Sequence, residues 1–373
     1  MPLPMRGADV SMTAELESLG ARFRAGGTER DLFALLAENG VNWIRLRLWV
    51  DPRDESGEPY MGGTNDLATT VALARRARAA GQRVLLDLHY SDFWTDPKKQ
   101  SAPKAWRGLT GAGLEARVHD WTAEVLAALD EAGAAPEMVQ VGNEITNGML
   151  WPEGRTPRFL DAERRFERED PAAFDRLAGL IKAGAAAVRE SGDAKVMVHL
   201  DFGGANELYR GWFDQAAARG LDFDAIGLSY YPYWHGTQDD LGANLNDLAV
   251  RYGKDLAVVE TAYAWTAAQP EGHHQVFTAK LAEGCGYDVS PEGQAAFLRD
   301  LYAVVAAVPE GRGLGVVYWE PAWLPVAGTT WASRAGMEYG DDVVDEAGSS
   351  WANQALFDFE GNALPSLRAL GGA

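Results

Sequence analysis

Apolar runs of strand length alternate with amphipathic runs of helix length along the whole chain, and this pattern restricts the fold more than any other feature. The strand-like runs are GADVS (7–11), NWIRLRLW (42–49), RVLLDLHY (83–90), MVQVGNE (138–144), KVMVHLD (195–201), AIGLSYY (225–231), LAVVETAY (256–263) and GVVYWE (315–320), the first being the weakest. Helical patterns such as DLATTVALARRARAAG and AAFDRLAGLIKAGAAAVRESG lie between them. Gly40, Gly81, Gly133, Gly192, Gly220 and Gly253 each follow a helical run, as suits the left-handed position past a helix end. Ser290 before Pro291 reads as a helix start. Strand–helix alternation implies a parallel sheet. Eight such units imply an α/β fold of the (β/α)8 TIM-barrel type. A doubly wound sheet competes, but it needs a glycine-rich phosphate loop after its first strand, and GADVSMTAELESLG is a poor one.

No Ser/Gly-rich or Pro-rich linker divides the sequence, so residues 1–373 read as a single domain. The strand-to-helix links are long: 50–65, 91–113, 145–171, 264–290 and 321–355. In a barrel they all rise from the C-terminal face of the strands, where loops of this length are functional. They carry Trp94, Trp106, Trp151, Trp265, Trp323 and Trp331.

The formal net charge of −20 disfavours a nucleic-acid partner. The one basic cluster, Arg75, Arg76 and Arg78, falls in a helical segment and reads as a solvated face. A neutral substrate fits this charge. Cys285 is the only cysteine, so no intrachain disulfide forms. No run approaches the about 18 apolar residues that span a bilayer, which gives an expectation of no membrane association. MPLPMRGADV has no apolar core of signal-peptide type. The chain as written reads as cytoplasmic, or as secreted if a leader has been removed.

Strand side chains alternate between two faces. In NWIRLRLW, Ile44, Leu46 and Leu48 share the face that should meet the helices, and Trp43, Arg45, Arg47 and Trp49 share the other. Two arginines aimed at a barrel axis need carboxylates to offset their desolvation. Candidates on neighbouring strands are Asp87, Glu144 and Glu260, with His89, Ser229, Tyr231 and Trp319 also at strand ends. Arg47 and Asp87 are equally well read as a structural ion-pair network, and His89 as a satisfied core histidine.

Two carboxylates facing one cleft are the minimum for glycoside hydrolysis. One stays protonated and donates to the leaving oxygen; the other attacks the anomeric carbon or activates water. Separations of about 5–5.5 Å go with retention and about 6.5–9.5 Å with inversion. An arginine beside the ionised member is expected to hold its pKa low, and burial to raise the other's. Sugar rings present apolar C–H faces that stack on tryptophan. Barrels also host aldolases, isomerases and metallohydrolases.

The ordered segments GADVS, NWIRLRLWVDP, LLDLHYSDFWTDPKKQSAPKAW, MVQVGNEITNGMLWPEG, SYYPYWHGT, LNDLA, VVETAY, GRGLGVVYWEPAW and NQALFDFEGNALPSL together resemble family 53 of the glycoside hydrolases, the endo-β-1,4-galactanases. The resemblance implies an endo-acting, retaining enzyme that cleaves the β-1,4-galactan of type I arabinogalactan. It implies Glu144 as acid/base and Glu260 as nucleophile. It places Asn143 on the sugar 2-hydroxyl, and Arg45 and Tyr231 beside the nucleophile. Trp49, Asp87, His89, Trp94 and Trp319 complete the substrate-binding set. A monomer is expected. Another β-1,4-glycan (mannan or cellulose) and a non-catalytic galactan-binding barrel are the competing readings.

Many bacterial members of that family bind calcium after the seventh strand. Here the segment reads AAQPEGHHQVFTAKLAEG, with Glu271, His273 and His274 as candidate ligands, and the later GSSWANQ has Ala352 where a carboxylate would serve. Calcium takes six to eight oxygens, so the site is expected to be lost or weakened, with no cofactor required. Asp341, Asp342, Asp345 and Glu346 read as an exposed acidic loop.

Overall fold

The computed structural model describes residues 3–157, 159–160, 165–166, 170–341 and 348–372. Eight strands form Met5–Asp9 (β1), Trp43–Leu48 (β2), Arg83–Leu88 (β3), Met138–Val141 (β4), Lys195–Leu200 (β5), Ala225–Ser229 (β6), Asp255–Glu260 (β7) and Gly313–Trp319 (β8). Neighbours pair in parallel and β8 returns to β1, so the sheet closes into a barrel. The helices that cover it are Leu32–Glu38 (α1), Leu67–Ala79 (α2), Gly111–Glu131 (α3), Pro171–Ser191 (α4), Asn206–Ala218 (α5), Gln238–Tyr252 (α6), Pro291–Ala306 (α7) and Ser366–Leu370 (α8). The expected (β/α)8 architecture is the observed one.

Local chemistry sets the element ends. A capping box between Thr237 and Asp240 opens α6, and Gly253 at φ 62° closes it. Ser290 accepts from the Gly293 N–H at the start of α7, with Pro291 next. Differences from the sequence reading lie at the margins. The first strand begins at Met5 rather than Gly7. The GNE, YY and TAY segments lie beyond β4, β6 and β7. The short α8 and a hairpin of Phe23–Ala25 with Thr28–Arg30 were not foreseen.

The two faces of β2 separate as the alternation predicts. Ile44, Leu46 and Leu48 join the layer packed against the helices. Trp43 points inward and shares a distinct apolar cluster with Met5, Leu85, Met138, Met197, Ala225, Ala257 and Val317. This is the barrel floor, where large side chains face small ones: a Cβ at Gly227 would come within 2.8 Å of Met197 Sδ. Burying each large apolar group there contributes about 1.5–3 kcal/mol. On α2, Arg76 pairs with Glu17 and Asp31, Arg78 pairs with Glu137, and Arg75 is exposed. No helix among the described residues is long and apolar enough to cross a membrane.

Candidate active site

At the C-terminal mouth the chain turns sharply off the strands. Tyr90, Glu144, Phe202 and Glu320 follow β3, β4, β5 and β8 with φ of 50°, 48°, 54° and 47°. Left-handed backbone costs a non-glycine residue roughly 1–2 kcal/mol, and such strain gathers at functional sites. Glu144 therefore does not end the fourth strand, as its run suggested. It stands beyond Val141, in a turn that Gly142 enables at φ 93°. Glu260 is the last residue of β7.

A cavity of about 920 Å³ opens at this mouth, within the range of small-molecule sites. Its base carries His89, Asn143, Glu144, Asp201, Tyr231 and Glu260. Trp94, Trp151, Trp234, Trp319, Trp323, Trp331 and Trp351 form much of its walls.

Beneath the base, Arg45 is fully engaged. Its Nη1 meets Asp9 Oδ2 at 2.8 Å, and its Nη2 meets Asp87 Oδ2 and Glu260 Oε1, both at 2.9 Å. Nη2 also donates to Asn143 Oδ1 at 3.0 Å, and Nε donates to Gln140 Oε1 at 2.8 Å. The Tyr231 hydroxyl donates to Glu260 Oε2 at 3.1 Å, so both oxygens of Glu260 are held. Arg47 pairs with Glu320 at 2.5 Å and lies 4.2 Å from the Trp94 ring centre. Trp94 in turn donates from Nε1 to the Trp331 carbonyl at 2.9 Å. The carboxylates that the sequence demanded for its buried arginines are thus Asp9, Asp87, Glu260 and Glu320.

Four carboxyls (Asp9, Asp87, Glu260 and Glu320) contact these two guanidiniums, and Glu144 and Asp201 add two more at the base of the cavity. Burial drives up the proton affinity of most of them. It pushes Glu320 up to about 8 despite Arg47, and Asp201 up to about 8. Asp87 moves the other way: against its burial, Arg45 and His89 hold it below the usual value. Glu260 is pushed up to about 7 by burial, with Arg45 opposing and Asp87 and Asp9 adding to the rise. The expectation that an arginine holds Glu260 low is therefore corrected. The guanidinium is divided among three carboxylates and offsets only part of the desolvation. Glu144 is raised well above its ordinary value, by burial first and then by the charges of Glu260 and Asp201. Of the two glutamates, Glu260 is the one held by a cation.

His89, Trp94, Asn143, Glu144, Tyr231, Glu260 and Trp319 line the cavity as anticipated. Both nitrogens of His89 are taken within the protein: Nε2 sits 3.0 Å from Asp87 Oδ2, and Nδ1 accepts from the Thr95 N–H at 3.2 Å. Arg45, Trp49 and Asp87 do not line the cavity; Arg45 stands beside Glu260, as expected, and Trp49 and Asp87 lie away from the cleft. Arg45 and Asp87 are buried beneath Glu260 and His89. Trp49 is past the end of β2, where its N–H bonds the Asn65 carbonyl, and its ring packs 5.0 Å from Phe93 and from Trp94. Two loop tryptophans also lie elsewhere, Trp106 against Tyr90 and Trp121, and Trp265 against Phe359. Sequence reasoning missed Gln140, His199, Asp201 and Trp234. The first three were visible to the same alternation that exposed Arg45: Met197, His199 and Asp201 share one face of their run, as do Met138 and Gln140.

The segments compared with a calcium site are bonded to each other. Gln275 Nε2 donates to the carbonyls of His273 at 2.8 Å and Ser349 at 2.7 Å. Val276 N–H bonds the Ser350 carbonyl at 2.9 Å, and Asn353 Nδ2 bonds the Phe277 carbonyl at 3.0 Å. Asn353 Oδ1 stays unpaired, one oxygen where calcium takes six to eight. Glu271 is exposed. Among the described residues no cluster of three His, Cys, Asp or Glu side chains could hold a metal. Asp341 is exposed, and Asp342, Asp345 and Glu346 lie outside the described residues.

Comparison with known proteins agrees with this geometry. The profile of glycosyl hydrolase family 53 matches residues 5–370. The endo-beta-1,4-galactanase of Bacillus subtilis (strain 168) is 37% identical, over 98% of this chain and 84% of the relative. The arabinogalactan endo-beta-1,4-galactanase of Cellvibrio japonicus is 36% identical, over 97% of this chain and 89% of the relative. The solved GH53 catalytic domain of Ignisphaera aggregans superposes with a TM-score of 0.89 at 41% identity, covering 99% of this chain and 98% of that one. With the motif series and the barrel mouth in agreement, the chain belongs to glycosyl hydrolase family 53.

Proposed function

We propose that this chain is an endo-acting β-1,4-galactanase that works by a retaining double displacement, with Glu260 as nucleophile and Glu144 as acid/base. The observation that carries the reading is the unequal environment of two carboxyls on one cavity. Glu260 is fixed through both oxygens by Arg45 and Tyr231, whereas burial and the neighbouring charges of Glu260 and Asp201 raise Glu144 well above its ordinary value. Glu260 attacks the anomeric carbon while Glu144 gives its proton to the departing glycosidic oxygen. The C–O bond breaks and a glycosyl ester forms on Glu260. Esterification removes the Glu260 charge that raises Glu144, so Glu144 becomes the weaker proton holder. Now ionised, it takes a proton from water, whose oxygen attacks the anomeric carbon and releases Glu260.

The tryptophan walls suit the apolar faces of successive sugar rings, and an open cleft suits internal cleavage of a polymer. Galactan of the arabinogalactan type is the proposed substrate, in line with the names of the relatives. The Gln275 contacts argue for action without calcium.

A panel of galactan, mannan and cellulose, with product sizing and proton NMR of the newly formed anomer, tests the reading. Internal cleavage of galactan alone with a β-configured first product is expected. An α-configured product contradicts retention. Preference for mannan or cellulose moves the substrate assignment, and binding of galactan without cleavage by the wild-type chain would leave only a binding barrel.

A further inference from the structure

Arg47 is buried on β2, against the part of the cleft wall that Trp94 forms. Its guanidinium engages three partners at once. Nη1 meets Glu320 Oε1 at 2.5 Å, Nη2 donates to the Gly62 carbonyl at 2.8 Å, and Cζ stands over the Trp94 ring, 4.2 Å from its centre. Glu320 is itself fixed, because the same Oε1 accepts from the Met12 N–H at 3.1 Å. A planar guanidinium can stack on a ring by its face while its edge donates hydrogen bonds; an ammonium has no such face. The Trp94 ring is held at its edge as well: Nε1 donates to the Trp331 carbonyl at 2.9 Å, and the Trp49 ring packs 5.0 Å away. Gly62 closes over this junction. Its N–H bonds the Thr330 carbonyl at 3.2 Å. A Cβ there would come within 2.6 Å of the Trp331 carbonyl oxygen and 3.0 Å of Trp94 Nε1, and its φ is 66°, so the position requires glycine. Three loops, after β2, β3 and β8, thus meet around one buried cation, and two of them bring Trp94 and Trp331 to the cavity. Trp319 continues the wall, 6.0 Å from Trp94.

We propose that Arg47, anchored by Glu320, is a positioning residue that fixes the Trp94–Trp331 wall and so sets the affinity for the sugar unit stacked there. The proposal rests on the reading of the tryptophan walls as sugar-binding surface, and goes beyond it by naming what holds them. A stacking surface binds tightly when it is already in place, because a side chain that must be immobilised on binding takes its ordering cost from the affinity. Stability alone is a weak reason for such a pair, since desolvation of two buried charges offsets much of their attraction. The neighbouring arginine has a different target. Arg45 reaches Glu260, whereas the Arg47 guanidinium meets Asp9, Glu320, Gly62 and the rings of Trp49 and Trp94. Two arginines on one face of β2 then divide the work, one serving the chemistry and the other the binding surface.

The test measures kcat and KM on galacto-oligosaccharides of increasing length for wild type, Arg47→Lys, Trp94→Ala and the two changes combined. Arg47→Lys keeps the charge but loses the planar face, and should raise KM on substrates long enough to reach the wall about tenfold, with kcat within about twofold of wild type. Trp94→Ala should raise KM at least as much. Arg47→Lys should add nothing further in the Trp94→Ala background, because it acts through that ring. Arg47→Met combined with Glu320→Gln, which leaves neither charge of the pair alone in the barrel, is the second variant if Arg47→Lys does not fold, and should show the same split. If Trp94→Ala raises KM while the folded Arg47 variants keep the wild-type KM, or lower kcat instead, the proposal is overturned and the wall reading stands. A full added loss in the Trp94→Ala background overturns it as well. If Trp94→Ala leaves KM unchanged, the wall reading fails first and the proposal falls with it.

Discussion

At the floor of the barrel, Trp43 shares an apolar cluster with Met138, Met197 and Val317. Two residues further along the same strand, Arg45 meets Asp9, Asp87 and Glu260. Both layers are buried and both are filled by inward-pointing side chains. The floor gains stability from apolar area removed from water, and its one polar side-chain atom, Trp43 Nε1, is buried without a hydrogen-bond partner. The mouth gathers six carboxyls around two arginines and meets the shortage of positive charge by raising proton affinities. On the proposed mechanism, one barrel thus separates a layer that holds the fold from a layer tuned for proton transfer. The tuned layer is stabilised less than its contact density suggests, because desolvation of each charge offsets much of the attraction.

The sharpest break of this comparison is Glu260→Ala. It should cost at least about 10⁴-fold in galactan turnover, the scale of losing a nucleophile, while the thermal midpoint is unchanged or higher because a buried carboxyl is removed. A large fall in the midpoint would place Glu260 in the structural class instead. Trp43→Ala is the converse. It should cost about 3–5 kcal/mol of unfolding free energy in denaturant titrations, while the pH profile of the folded fraction keeps its shape. A shifted profile would show that floor and mouth are not separable.

Tyr231→Phe sharpens the account within the mouth. The hydroxyl lowers the proton affinity of Glu260, which burial has pushed up to about 7. Glu260 must be ionised to attack, so activity is present above its pKa and is lost as pH falls through it. Removing the donor should move the acid limb to higher pH by about one unit and lower kcat/KM about tenfold, read from pH–rate profiles. The smallest effect concerns the wall. A chelator should shift the thermal midpoint by less than about 1 °C, because Gln275 already occupies the carbonyls of His273 and Ser349. A fall of several degrees, restored by calcium, would contradict that reading.

Much of the barrel could be read from the chain because period-2 and period-3.6 patterns report burial directly. The inward aim of Arg45 followed from alternation alone, and so did the need for acidic partners. Alternation stops informing where the strand stops. Trp49 lies one residue past β2 and packs under Trp94 instead of facing the cleft. Glu144 reaches the mouth through a left-handed turn that no periodicity predicts. Trp265 and Trp106 lie in long loops of the kind that line the cleft yet pack elsewhere, because loop length shows where a segment starts but not how it folds back. His199 and Asp201 share the inward face of their run with Met197, so the same alternation makes them legible.

The central claim is that Glu260 attacks the sugar directly. A galactobioside carrying fluorine at C2 and a good leaving group slows both chemical steps but lets the first proceed, so a glycosyl-enzyme accumulates. Intact-mass and peptide analysis should find one added glycosyl unit per chain, on Glu260, with activity lost in parallel. Normal turnover of this reagent without any adduct, or an adduct on a different residue, would contradict the account.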